Sequence, residues 1–167
     1  QEQFTRKLDS NRTYIIPDFQ REIRWDEEQI VELINNIGAG AKFLGNVILS
    51  ETKRENGNPQ SLKDYEIIDG QQRITTLFLL HWYLALVKDQ NNTCHFSEFK
   101  EMMMQPNGES KFSYKTRFSS TDFCNAIVKL EFKGGNYEEK YCDAVNDNSI
   151  KLSEVIRHEK WFLPHWN

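Results

Sequence analysis

The stretch Tyr65-Glu66-Ile67-Ile68-Asp69-Gly70-Gln71-Gln72-Arg73-Ile74-Thr75-Thr76-Leu77 decides the architecture. It begins as a short apolar strand, turns at Asp69-Gly70 and runs into an amphipathic helix. The first N–H groups of a helix have no intrahelical acceptor, and the dipole is positive at that end. A strand, a glycine turn and a helix start therefore make a natural anion site. Here the turn carries two amides (Gln71, Gln72), an arginine (Arg73) and two hydroxyls (Thr75, Thr76). An architectural reading competes with it: Asp69 caps the helix, Gly70 supplies a positive φ and Gln72 completes a capping box. That reading leaves Arg73 unexplained, because a cation in the first turn opposes the helix dipole.

Working outward, residues 14–16 (Tyr14-Ile15-Ile16) read as a short edge strand stopped by Pro17. Asp26 with Gln29 three residues on is a capping-box pattern, and Ile30, Leu33, Ile34 and Ile37 follow at helical spacing to Gly38. Residues 43–49 and 65–68 read as strands, with a polar loop at 53–63 between them. From Gln71 the predicted buried stripe is Ile74, Leu77, Phe78, His81, Leu84 and Ala85. After residue 92 the character changes. A short helix is expected over 97–104, an extended segment over 111–118, a helix capped at Ser120-Thr121-Asp122, a loop at Gly134-Gly135 and a last helix over 150–158. The organisation is an α/β part, 1–92, and a mostly helical part, 93–167.

The chain has 167 residues, enough for one core, and its 13% aromatic content marks it as folded. A net charge of −4 argues against a wholly basic nucleic-acid binder, though a local patch is compatible. No run of about 18 apolar residues signals a transmembrane helix, and no signal peptide is visible. Cys94, Cys124 and Cys142 are far apart and odd in number, which speaks against a disulfide framework or zinc knuckle and fits a cytoplasmic, reducing setting. The chain starts at Gln1 and ends among tryptophans, so a longer natural protein is expected. No Gly-Lys-Ser/Thr phosphate loop is present, which excludes a P-loop NTPase.

Two further constellations bear on function. Gln20 and Arg21 follow the proline-stopped strand, where Arg21 can offer a second fork to a phosphate and Trp25 can stack on a ring or pack the following helix. Lys115 and Arg117 lie in a locally basic segment suited to nucleic-acid backbone, or to nothing more than a solvated face.

The order Ile16-Pro17-x-Phe19-Gln20-Arg21-x-x-x-Trp25, then Phe43-Leu44-Gly45-Asn46, then Ile68-Asp69-Gly70-Gln71-Gln72-Arg73-x-Thr75-Thr76-Leu77 resembles the N-terminal domain of GmrSD-type restriction proteins, and Tyr114-x-Thr116-Arg117 fits its later pattern. The resemblance implies an α+β fold of the ParB/sulfiredoxin-like kind: a small mixed sheet with flanking helices, then a mostly helical part. It implies binding, and often hydrolysis, of a nucleoside triphosphate (GTP, UTP or ATP) with Mg²⁺. The wider system would be defence against phage through modified DNA, cut by a separate HNH-type nuclease domain or partner subunit. Carried over, Asp69, Gln71, Gln72 and Arg73 would be catalytic, with Asp69 also touching Mg²⁺. Gln20, Arg21, Gly70, Arg73, Thr75 and Thr76 would hold the nucleotide. No HNH arrangement is present in the chain itself. The rival reading is a DNA-binding or protein-interaction module with no nucleotide chemistry.

Overall fold

A computed structural model describes residues 12–20, 24–40, 43–52, 64–129, 137–147, 151–159 and 162–164, with the backbone alone at 137–140. The expected loops at 53–63 and Gly134-Gly135 lie outside the described residues. The fold is α+β. Strands β1 (Tyr14–Ile16), β2 (Ile48–Thr52), β3 (Asp64–Asp69) and β4 (Phe112–Tyr114) form one mixed sheet in the order β2-β3-β1-β4. β1 runs parallel to both β3 and β4, and β2 is antiparallel to β3. The carboxyl ends of β1, β3 and β4 therefore share one edge of the sheet, and β2 starts from that same edge.

The helices are α1 (Glu27–Gly38), α2 (Gln71–Leu86), α3 (Phe96–Met103), α4 (Phe118–Lys129), α5 (Tyr137–Asn146) and α6 (Leu152–Arg157). α1 starts where the sequence places it: Asp26 accepts from Gln29 N at 3.1 Å and Gln29 Oε1 accepts from Asp26 N at 3.1 Å. α2 is the central helix, packing on α3 and α5. Phe78 lies between Phe99 and Phe112, with ring centroids 5.8 and 5.4 Å away. β4, from beyond residue 92, pairs with β1, so the core crosses that position.

Several local expectations are corrected. β1 is an interior strand, not an edge. Pro17 follows the last paired residue, so its missing N–H removes no ladder bond. The 43–49 strand begins only at Ile48, and the 111–118 segment is extended only over Phe112–Tyr114, because α4 already starts at Phe118. Helix α5 had no counterpart in the sequence reading. Its polar run hides the 141/142/145 spacing by which Tyr141 and Cys142 reach the core. The stripe of α2 is rotated toward Gln71, Ile74, Thr75, Phe78, Trp82, Ala85 and Leu86, while Leu84 is 54% exposed. Trp82 sets this rotation, donating from Nε1 to Ile127 O at 3.1 Å and meeting Tyr141 edge-on. His81 is half-buried against the Phe99 ring, and burial lowers its pKa.

The cysteines also depart from expectation. Cys94 and Cys142 form a disulfide, with Cα atoms 6.5 Å apart across 48 residues. The loop after α2 folds back on α5: Lys88 N donates to Asn146 Oδ1 at 3.0 Å, and Lys88 Nζ pairs with Asp143 at 2.8 Å. Cys124 is buried, and desolvation pushes its thiol up to about 12.

Two measurements test this packing. Trp82→Ala should cost about 3–5 kcal/mol in urea unfolding and Leu84→Ala less than about 0.5 kcal/mol. Equal costs would return Leu84 to the core. Thiol titration without reductant should find no reactive thiol in the native chain and only Cys124 after unfolding. Three thiols in the unreduced, unfolded chain would refute the Cys94–Cys142 pair.

Candidate functional site

Four segments meet at the shared sheet edge: the turn after β1, the start of α2, the residues leading into β2 and the turn after β4. Each is tied to a neighbour. Gln20 N donates to Pro17 O at 3.2 Å, closing the first turn, and Gln20 Nε2 reaches Ile68 O at 2.5 Å. The register explains why that carbonyl is at hand. Ile48 faces Asp69 and Leu49 faces Ile67, so Ile68 is the extra residue of a bulge beside the turn. Arg117 Nη2 donates to Gln20 O at 3.0 Å. Gln72 Oε1 accepts from Arg24 N at 2.8 Å, anchoring the approach to α1.

The turn keeps one part of the architectural reading, the positive φ of Gly70, and not the other, the side-chain cap. Gly70 is the N-cap of α2, with φ 91° and ψ 12°, and no side chain caps the helix. The capping-box account is therefore corrected: Asp69 ends β3, and the Gln72 side chain is spent on Arg24. No acidic residue stands in the first turn. A Cβ on Gly70 would sit 3.1 Å from Val47 Cγ2 and 3.2 Å from Asn46 O, so the 45–47 segment backs directly onto the turn.

Arg73 lies over that same segment. Its Nη1 donates to Asn46 O at 2.9 Å, and its guanidinium covers Gly45 so closely that a Cβ there would be 2.6 Å from Cζ. Among the described residues Arg73 has no carboxylate partner, and the bond to Asn46 uses one of its five N–H donors. A cation in the first turn of a helix opposes the helix dipole, and here the contact with Asn46 O offsets part of that cost.

These segments enclose a cleft of about 530 Å³. Asp69, Gly70, Gln71, Gln72 and Arg73 line it together with Gln20, Asn46, Phe19 and Trp25. Phe19 stands at the rim, 64% exposed. Of the residues singled out from sequence, Gln20, Asp69, Gly70, Gln71, Gln72 and Arg73 meet in this cleft. Gln71 is buried and Asp69 exposed. Thr75 and Thr76 do not line the cleft: Thr75 is buried, with its hydroxyl 3.3 Å from the Tyr114 hydroxyl. Arg117 braces Gln20 from outside the cleft, and Lys115 pairs with Glu66 at 3.5 Å. Arg21 lies outside the described residues. Gly45 and Asn46 were quoted as part of a family pattern but assigned no role. The signal for them was a glycine-polar pair directly before a strand.

Gly45→Ala combines a φ of 99° with the close approach of Arg73. It should cost about 1–3 kcal/mol in denaturant unfolding and free Arg73 from Asn46. An unchanged midpoint would show that Arg73 does not rest on this backbone.

No curated protein matches the chain at a significant level. A family model does, over residues 2–162, and its description is the N-terminal domain of the GmrSD restriction endonuclease. The chain belongs to the GmrSD restriction endonuclease N-terminal domain family.

Proposed function

We propose that the cleft at the start of α2 binds the phosphates of a nucleoside triphosphate, as the regulatory module of a modification-dependent DNA restriction protein. The observation that carries this reading is Arg73: a guanidinium in the first turn of an uncapped helix, with no carboxylate partner among the described residues. Family membership supports the restriction role and a nuclease partner domain. DNA and an HNH-type nuclease domain or subunit are the partners this reading implies. The ParB/sulfiredoxin-like relationship belongs to the same proposal.

In this reading Arg73 holds phosphate by two-pronged donation, and Gly70 lets the backbone approach the oxygens. Gln20 closes the site from the turn after β1, and the resemblance assigns Arg21 the same role. The rim aromatics Phe19 and Trp25 offer faces to the base. Thr75 and Thr76 act only through α2, since neither lines the cleft. Asp69 is the one carboxylate on the cleft wall, and no group of three His, Cys, Asp or Glu side chains among the described residues is arranged to hold a metal. These donors fit an Mg²⁺ that arrives with the phosphates rather than a resident ion. Such an ion neutralises charge on the transferring phosphoryl group.

We extend the proposal to hydrolysis of the bound nucleotide. Asp69 orients a water with Gln71, or with the amide nitrogen of Gln72, whose Oε1 is held by Arg24 N. The water oxygen bonds to the γ-phosphorus as the bridging P–O bond to the β-phosphate breaks, giving the nucleoside diphosphate, inorganic phosphate and a proton. Arg73 supplies the electrostatic stabilisation.

Thermal unfolding with GTP, UTP or ATP plus Mg²⁺ tests the binding step. A nucleotide at 100 times its Kd adds about 2.7 kcal/mol, a shift of roughly 5–10 °C for a chain this size. Arg73→Ala should abolish the shift while its own midpoint stays near that of the wild type. A shift that persists in Arg73→Ala would remove the phosphate site from this turn. The rival DNA- or protein-contact reading draws on Trp25, Arg21, Lys115 and Arg117, of which Lys115 pairs with Glu66 and Arg117 with Gln20 O. It expects DNA affinity that falls steeply with salt and ignores nucleotide.

A further inference from the structure

A second concavity, of about 450 Å³, shares no lining residue with the cleft. Its apolar walls are Phe78 and Leu79 of α2, Phe123 of α4, Ile156 of α6, and Phe162. We propose that this cavity is a separate binding site for a small ligand with a flat apolar body and one anionic group, a carboxylate or a phosphate.

Size and wall chemistry define the body of that ligand. The volume lies in the range of small-molecule sites, and aromatic walls from separate elements suit a ring. The polar groups define its charge. Ser119, Ser120 and Ser153 present hydroxyls, and Arg157 presents a guanidinium. None of these four side chains has a hydrogen-bond or ion partner among the described residues. Among the described residues no carboxylate lines the cavity and Arg157 is its charged group.

The remaining polar groups are already committed. The Thr75 and Tyr114 hydroxyls face each other at 3.3 Å, and burial pushes the Tyr114 hydroxyl up to about 12, so it stays neutral at physiological pH. Cys124 is a wall, not a nucleophile, because burial keeps its thiol protonated. The site stands on its own geometry and does not depend on the nucleotide reading of the cleft.

Isothermal titration of the whole chain tests this with three probes: 1-naphthoate, the neutral 1-naphthalenemethanol of similar shape, and acetate. Naphthoate should bind about tenfold or more tightly than either of the others, a difference of about 1.4 kcal/mol or more. Arg157→Gln, at an exposed position, should bring naphthoate close to the alcohol. Ser153→Trp should fill the cavity and abolish binding in a chain that keeps its far-ultraviolet spectrum. Arg73→Ala should leave naphthoate binding unchanged. The proposal is overturned if naphthoate does not saturate, if it binds no better than the alcohol, or if its preference survives Arg157→Gln. Loss of binding in Arg73→Ala would also overturn it, by placing the anion in the cleft.

Discussion

The contact between the start of α2 and the backbone before β2 is the constraint on which the sheet edge depends. Gly70 can turn from β3 into α2 only because nothing extends from its α-carbon toward Val47 and Asn46. Gly45 can pass beneath Arg73 for the same reason. Larger residues at both positions would push the helix and the 45–47 segment apart. The guanidinium would then lose Asn46 O, and the cleft would lose Asn46 from its lining. Two missing side chains thus set the position of Arg73, the cation that lines the cleft among the described residues.

Around that constraint the site is assembled from residues far apart in sequence, joined by short polar links. Gln20 bridges the turn after β1 to the bulged Ile68, Arg117 braces Gln20 from the turn after β4, and Gln72 ties the helix start to Arg24. Net charge says little about such a place. The chain carries −4 overall, yet both concavities present an arginine without a carboxylate partner among the described residues. Local arrangement, not composition, decides what charge a ligand must bring.

Much of the site was legible because it is local. The Asp69–Arg73 run carries its turn, helix start and misplaced cation within five residues, so backbone chemistry alone pointed to an anion site. The Asp26–Gln29 box was legible for the same reason, and the structure has both of its hydrogen bonds. What escaped depended on partners. Leu84 and Trp82 sit near each other on α2, and periodicity cannot tell which of two overlapping stripes faces the core. Trp82 is chosen because α4 offers it the Ile127 carbonyl. Helix α5 escaped because its apolar positions are few and set among acids, and its burial comes from Trp82 and the end of α2. The Cys94–Cys142 pair escaped because spacing along the chain carries no information about a loop folding back 48 residues.

The sequence by itself determined the alternation of strand and helix, the glycine turn at 69–70, the cap of α1 and the identity of the cation, since these follow from neighbouring residues and backbone sterics. Only the tertiary structure decided that β1 lies inside the sheet, that Thr75 turns away from the cleft toward Tyr114, that Arg117 serves Gln20, and that Gly45 and Asn46 seat Arg73. Those outcomes depend on which distant segments arrive at the same edge. That is set by the pairing of β4 with β1 and the packing of α2 on α3 and α5, long-range contacts that no local spacing encodes.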